Sequence, residues 1–66
     1  MNLKEILSRR KIKQVELSKA TGINVSQINL FVNGWVKLPD RHIERIGLFL
    51  GINKQDVLDA YFEGEA

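Results

Sequence analysis

The stretch QVELSKATGINVSQINLFVNG, residues 14–34, combines two short helical patterns with a single glycine between them. The first pattern covers residues 14–20, and Gly22 then stands where the end of a helix favours a left-handed backbone. Asn24 suits the N-cap of a second helix over residues 25–33, which the final Asn-Gly pair would end. The stretch therefore predicts a helix, a turn and a helix in close succession.

The second predicted helix has two faces of different chemistry. At about 100° per residue, Ile28 and Phe31 point to one side, with Val32 beside them. The opposite side carries hydroxyl and amide groups between aliphatic ones, namely Ser26, Asn29 and Asn33 flanked by Val25 and Leu30, with Gln27 near the edge. Hydroxyls and amides donate and accept hydrogen bonds, as the base edges of the DNA major groove require, and an aliphatic side chain can contact a thymine methyl. This face suits base reading better than solvation alone.

The rest of the chain predicts three further short helices and no strand. Asn2 can cap a first helix that ends near Arg10, Pro39 falls in the first turn of a fourth helix, and Asn53 precedes a fifth. Apolar residues at helical spacing give the predicted interior: Leu3, Ile6, Leu7, Leu17, Ile23, Ile28, Phe31, Ile43, Ile46, Phe49 and Leu50. We therefore expect a compact all-α domain of five helices over residues 1–62, with helices 2 and 3 forming a helix-turn-helix, and a frayed acidic tail at residues 63–66.

Size and composition narrow the classes of function. A chain of 66 residues forms one domain with one small core. It has no cysteine and a single histidine, His42, so we expect no disulfide, no metal site and no cofactor. Without a suitable carboxylate pair, a phosphate loop or room for a deep pocket, we expect neither an enzyme nor a small-molecule substrate. The first residues lack a long apolar run, which predicts a cytoplasmic protein without a membrane span.

The charge is unevenly distributed along the chain. Residues 1–20 carry six basic and two acidic side chains, whereas residues 46–66 carry four acidic and one basic. A basic front suits a polyanionic partner, but ordinary solubilising charge explains the same balance equally well. Charge alone therefore does not separate a DNA-binding protein from any other small domain.

The pattern QxxLSxxxGIxxxxIxxFxNG at residues 14–34 resembles the lambda-repressor-like helix-turn-helix family, also called the XRE or Cro/repressor family. Pro39 and the run FLGIN at residues 49–53 continue the likeness, which covers roughly residues 3–60. The resemblance implies a regulator of transcription, of phage, plasmid or bacterial type, that binds specific sites on double-stranded DNA.

The resemblance also implies a role for each matching position. The residues that the resemblance implies for base reading lie on the outward side of the second helix of the motif: Val25, Ser26, Gln27, Asn29 and Leu30. For the DNA backbone it implies Gln14, which would also buttress the recognition helix, together with Asn24, Asn33 and Lys37. Three basic residues lie near enough to add phosphate contacts: Arg10, Lys11 and Lys13. Such contacts position a protein on DNA without specifying its sequence.

Relatives in this family dimerise on near-palindromic sites, because one short helix reads only a few base pairs. We therefore expect a homodimer, at least on DNA, that uses some of the apolar residues Trp35, Val36, Val57, Tyr61 and Phe62. Two departures favour an alternative. Val25 replaces a position that is often polar in the family, and the loop GWVKLP carries little charge. The alternative is a protein-interaction module that uses the apolar surface of Val25, Leu30 and Trp35.

Trp35 itself is expected to pack at least partly into the core. A large aromatic side chain in so small a domain is usually recruited for burial.

Overall fold

A computed structural model describes residues 1–65 and contains five helices and no strand within them. The helices are α1 (Leu3–Arg9), α2 (Gln14–Thr21), α3 (Val25–Val32), α4 (Asp40–Leu50) and α5 (Lys54–Glu63). The all-α, five-helix prediction is therefore confirmed. The division into a domain at residues 1–62 and a tail stays a prediction, and Ala66 lies outside the described residues.

Three helices begin at an asparagine whose side chain caps the first turn. The side-chain oxygens of Asn2, Asn24 and Asn53 accept backbone N–H groups at 2.9, 2.8 and 2.8 Å. Each oxygen satisfies a donor that has no partner within its helix. The prediction for Pro39 was wrong by one position, because this residue is the N-cap of α4 rather than part of its first turn.

Three helices end in the same backbone motif. Lys11, Gly34 and Gly51 have φ angles of 57°, 79° and 74°. In each case the next residue donates its N–H to a carbonyl five residues earlier, at 2.9 to 3.0 Å. This is the Schellman arrangement, which favours glycine because other residues are crowded at positive φ. Lys11 is the single non-glycine residue with positive φ among residues 1–65.

The core contains nearly all of the predicted interior residues. Its buried apolar members are Leu3, Leu7, Leu17, Ile23, Ile28, Phe31, Val32, Leu38, Ile43, Ile46, Leu50, Val57, Ala60 and Tyr61, and Ile6 packs against them half-buried. The rings of Phe31 and Tyr61 stack with centroids 4.8 Å apart, which joins α3 to α5. The core therefore lies directly behind the second helix of the motif.

Phe49 was predicted to be buried and is 43% exposed. Gly47 occupies the close approach between α4 and the start of α5, where an added Cβ would lie 2.8 Å from the Ile52 carbonyl oxygen. This approach turns Gly47 inward together with Ile46 and Leu50, and Phe49 falls outside that face.

Trp35 was also predicted to be at least partly packed, and it is 69% exposed. Gly34, which precedes it, lies against the end of α5, where an added Cβ would be 2.2 Å from the Gly64 carbonyl oxygen. The Trp35 N–H is held by the Leu30 carbonyl at 2.9 Å, and Leu38 fills the core position that this loop supplies. The indole is thereby left on the surface.

Candidate nucleic-acid interface

The turn between α2 and α3 is held by side chains that bond to the backbone. Ser18 Oγ donates to the Ile23 carbonyl at 2.5 Å, and the buried Thr21 hydroxyl donates to the Leu17 carbonyl at 2.7 Å. Gly22 has a φ of 75°, and its N–H donates to the Ser18 carbonyl at 2.9 Å. Leu17 and Ile23 are also buried on either side of the turn, so both helices are anchored in the core there.

Two arginines connect helix ends that are distant in sequence. Arg45 of α4 donates to the Thr21 carbonyl at the end of α2, at 3.3 Å. The Arg10 guanidinium donates to the Leu50 carbonyl at the end of α4. The last carbonyls of a helix lack internal partners and carry partial negative charge, so both contacts are favourable. Arg10 is thus occupied in joining α1 to α4, and its predicted contact with the DNA backbone stays a prediction.

The outward side of α3 carries the five residues predicted to read bases. All five are exposed: Val25, Ser26, Gln27, Asn29 and Leu30. Four of them, all except Gln27, line a shallow open depression together with Gln14 of α2. The two aliphatic members, Val25 and Leu30, are 40% and 41% exposed. The structure therefore brings hydrogen-bonding and apolar groups together on one face.

A hydrogen bond across the motif orients the centre of this depression. Asn29 Nδ2 donates to Gln14 Oε1 at 3.1 Å, which links the start of α2 to the middle of α3. The bond leaves the Gln14 amide nitrogen and the Asn29 amide oxygen free for other partners. Gln14 is thus placed to support α3, and its contact with phosphate stays a prediction.

Asn24 and Asn33 stand at the two ends of α3 and stabilise it. The Asn24 side-chain oxygen caps the helix at the Ser26 N–H, and Asn33 Nδ2 donates to the Asn29 carbonyl at 2.8 Å. Each amide keeps one polar atom, the Asn24 nitrogen and the Asn33 oxygen, outside these bonds. Their contacts with the DNA backbone stay predictions.

The lysines predicted to contact phosphate lie in two regions. Lys11 and Lys13 are exposed in the connection between α1 and α2, and Lys13 is the N-cap residue of α2. Lys37 lies elsewhere, with its ammonium group 5.9 Å from the centroid of the Phe62 ring. The α1–α2 lysines therefore adjoin the helix-turn-helix directly, whereas Lys37 belongs to the loop beside the end of α5.

Two residues that support the motif were missed at the level of sequence. Thr21 holds both sides of the turn, since its hydroxyl also accepts the Ile23 N–H at 3.4 Å. Arg45 bonds to a carbonyl 24 residues away, and no local pattern indicates such a pair. For Thr21 a signal was present, because a threonine four residues after a helical carbonyl can bond back to it.

Two helices around a tight turn, with an uncharged hydrogen-bonding front on the second, define a helix-turn-helix DNA-binding domain. Sequence comparison agrees, because the family described as Cro/C1-type HTH DNA-binding domain matches residues 2–63. The chain belongs to this family, and the resemblance noted in residues 14–34 is confirmed. No curated protein and no solved structure matches the chain.

Within residues 1–65, no helix has both the length and the apolar character that crossing a membrane requires.

Proposed function

We propose that the chain is a sequence-specific regulator of transcription that binds a near-palindromic operator as a homodimer, with α3 in the major groove. The main support for this proposal is the uncharged depression on α3. In it, the hydrogen bond between Gln14 and Asn29 orients an amide among exposed aliphatic groups. An α-helix with its side chains is about 10–12 Å wide, and the major groove is about 12 Å wide. The exposed front of α3 therefore fits the groove in size and in chemistry.

An apolar patch on a second surface supports the homodimer. This α5 patch consists of the exposed residues Trp35, Val36 and Phe62. The position of the Lys37 ammonium over the Phe62 ring brings the loop after α3 beside the end of α5. Aromatic residues are enriched at protein interfaces, so the exposed Trp35 and Phe62 suit a contact between two copies.

The dimensions of the domain suit two adjacent half-sites. Its Cα atoms extend over 24 × 24 × 21 Å. Two copies in side contact would have centres roughly 30 Å apart, once side chains are allowed for. Successive major grooves on one side of DNA are separated by about 34 Å. A dimer of this size can therefore place one α3 in each groove.

The test is selection of bound duplexes from a random DNA pool at near-physiological salt. We expect an enriched two-fold motif with half-sites one helical turn apart. Circular dichroism of the same sample establishes that the protein is folded. A folded protein that enriches no motif would contradict the proposal.

The alternative, a protein-interaction module, is favoured by one observation. The aliphatic side chains of Val25 and Leu30 are exposed on α3, and the indole of Trp35 is exposed just beyond it. If the selection enriches no motif, a surface variant such as Leu30→Ser tests whether this apolar surface binds a protein. Loss of a protein partner with that variant, and its retention with Leu48→Ser on α4, would favour the interaction module.

A further inference from the structure

The exposed front of α3 lacks the side chains that most commonly read G·C pairs. Arginine and lysine make the commonest specific contact with guanine, and carboxylates accept from the cytosine amino group. The sequence of α3, VSQINLFV, contains neither kind of side chain. Its exposed polar groups are a hydroxyl and amides, and amides are the groups that pair with the adenine edge in the major groove.

Asn29 remains equipped for such a contact after its bond within the protein. Recognition of adenine by an asparagine needs a donor for N7 and an acceptor for the N6 amino group. The Asn29 amide nitrogen carries two hydrogens, and one of them suffices for the bond to Gln14 Oε1 at 3.1 Å. One N–H and the Oδ1 acceptor are left for a base, on a side chain whose orientation is restrained.

Aliphatic groups border Asn29 in the same depression. Val25 lies one helical turn before it, and Leu30 follows it directly. Both are only about two-fifths exposed, at 40% and 41%, so each presents a limited part of its surface. The thymine C5 methyl is the apolar group that base edges offer in the major groove. An adenine at Asn29 with thymines on either side would therefore match donors, acceptors and apolar surface together.

We propose that α3 reads an A·T-rich half-site, in which Asn29 contacts an adenine and Val25 and Leu30 contact thymine methyl groups. This inference rests on the proposed function and specifies the ligand of the same surface. Ser26 and Gln27 then supply further contacts at the edge of the half-site, since hydroxyls tolerate several bases and glutamine also pairs with adenine.

The first experiment uses the DNA motif from the random-pool selection and replaces single atoms in it. Uracil in place of thymine removes the methyl group, and 7-deazaadenine in place of adenine removes the N7 acceptor. For each contacted methyl we expect uracil to weaken binding about fourfold. For the adenine contact we expect 7-deazaadenine to weaken binding by roughly fivefold or more.

Protein variants assign these effects to residues. Val25→Ala should bind the operator equally well with thymine or with uracil at the position that Val25 contacts. Asn29→Ala should bind the operators with adenine and with 7-deazaadenine equally well. Leu48→Ala, a change at an 83% exposed position on α4, is the matched control and should keep both sensitivities. Thermal melting of each variant shows that a loss of discrimination does not reflect unfolding.

The outcomes separate this inference from the function on which it rests. A·T-rich half-sites with both atomic sensitivities support the inference. A two-fold motif whose half-sites carry G·C pairs at the positions that face α3 overturns it and leaves the proposed regulator intact. A·T-rich half-sites that are insensitive to both analogues also overturn it, because DNA shape would then account for the preference. Failure to enrich any motif contradicts the regulator and this inference together.

Discussion

Lys11 has the left-handed backbone conformation that glycine adopts at the ends of three other helices, at positions 22, 34 and 51. Its φ of 57° places Cβ close to the following carbonyl, at a cost of about 1–2 kcal/mol. Glycine removes this crowding. It also loses more conformational entropy on folding, which reduces the gain in stability by about 0.5–1 kcal/mol. We expect Lys11→Gly to stabilise the protein by about 0.5–1 kcal/mol and to raise Tm by roughly 2–8 °C.

Thermal melting monitored by circular dichroism checks this expectation. Lys11→Ala is the matched control, because it removes the same charge and keeps Cβ. A glycine variant that melts no higher than the alanine variant would show that strain at this position is negligible. If Lys11 contacts phosphate, both variants should lower the salt slope of DNA binding by about one.

Gln14 and Asn29 are expected to act as one unit in DNA binding. Each alanine variant removes the bond of 3.1 Å between them and frees the partner amide to rotate. Residues that share a hydrogen bond usually show coupling energies of about 0.5–3 kcal/mol. We therefore expect the loss of affinity for the selected operator in Gln14→Ala/Asn29→Ala to be smaller than the sum of the single losses. Additive losses, measured by fluorescence anisotropy, would mean that the two side chains bind DNA independently.

Arg10 connects the elements α1 and α4, so its main expected effect is on stability. Arg10→Ala removes the guanidinium from the Leu50 carbonyl at the end of α4. Since the residue is exposed and its bond to the carbonyl is part-buried, we expect a loss of about 1 kcal/mol in the free energy of unfolding. Urea denaturation measures this loss, with Arg9→Ala as the control of equal charge. Equal stabilities of the two variants would show that the contact contributes little.

The inner side of α3 supports its outer side through the stack of Phe31 on Tyr61. Both rings are buried, with centroids 4.8 Å apart. Phe31→Ala should destabilise the protein by about 3–5 kcal/mol, because it leaves a cavity behind the recognition helix. Phe49→Ala, at a half-exposed aromatic position on α4, should cost much less. Calorimetric or denaturant unfolding compares the two, and similar losses would contradict this account of the core.

The elements were predictable from sequence because their ends depend on neighbouring residues. Asn2, Asn24 and Asn53 cap helices through bonds to residues two or three positions away. Burial of Phe49 and Trp35 was predicted wrongly because it depends on where other helices approach. Glycines allow those approaches: Gly47 meets the backbone of Ile52 at the start of the next element, and Gly34 meets that of Gly64, which is 30 positions away. Local periodicity does not contain that information.

For the candidate site, the sequence likewise predicted which residues are exposed but not the contacts between distant residues. The exposed row on α3 follows from its period, and the structure places those residues on one face with Gln14. The contact between Arg45 and the Thr21 carbonyl was not predictable, because the two residues are 24 positions apart and no local pattern pairs them. Helical spacing therefore identifies which residues face outward, while the tertiary contacts that fix their orientation require the structure.

At the scale of the whole molecule, the α5 patch is expected to control assembly. Trp35→Ser and Phe62→Ser replace exposed aromatic groups and leave the buried core in place. We expect the double variant to remain folded and to bind a single half-site, but to lose cooperative binding to the full operator. Sedimentation and band-shift titration with half and full operators measure both properties. Unchanged cooperativity would place the contact between copies elsewhere.

The contact between Gly34 and Gly64 has a mechanical consequence for such an assembly. With no side chain between the two backbones, the end of α3 packs directly against the end of α5. A dimer formed through the α5 patch would then hold its two α3 helices at a fixed separation and orientation. One base pair inserted between the half-sites shifts the second by about 3.4 Å and rotates it by about 35°. A dimer of fixed geometry cannot follow that rotation. Its affinity would therefore depend on the spacing between the half-sites as strictly as on their base sequence.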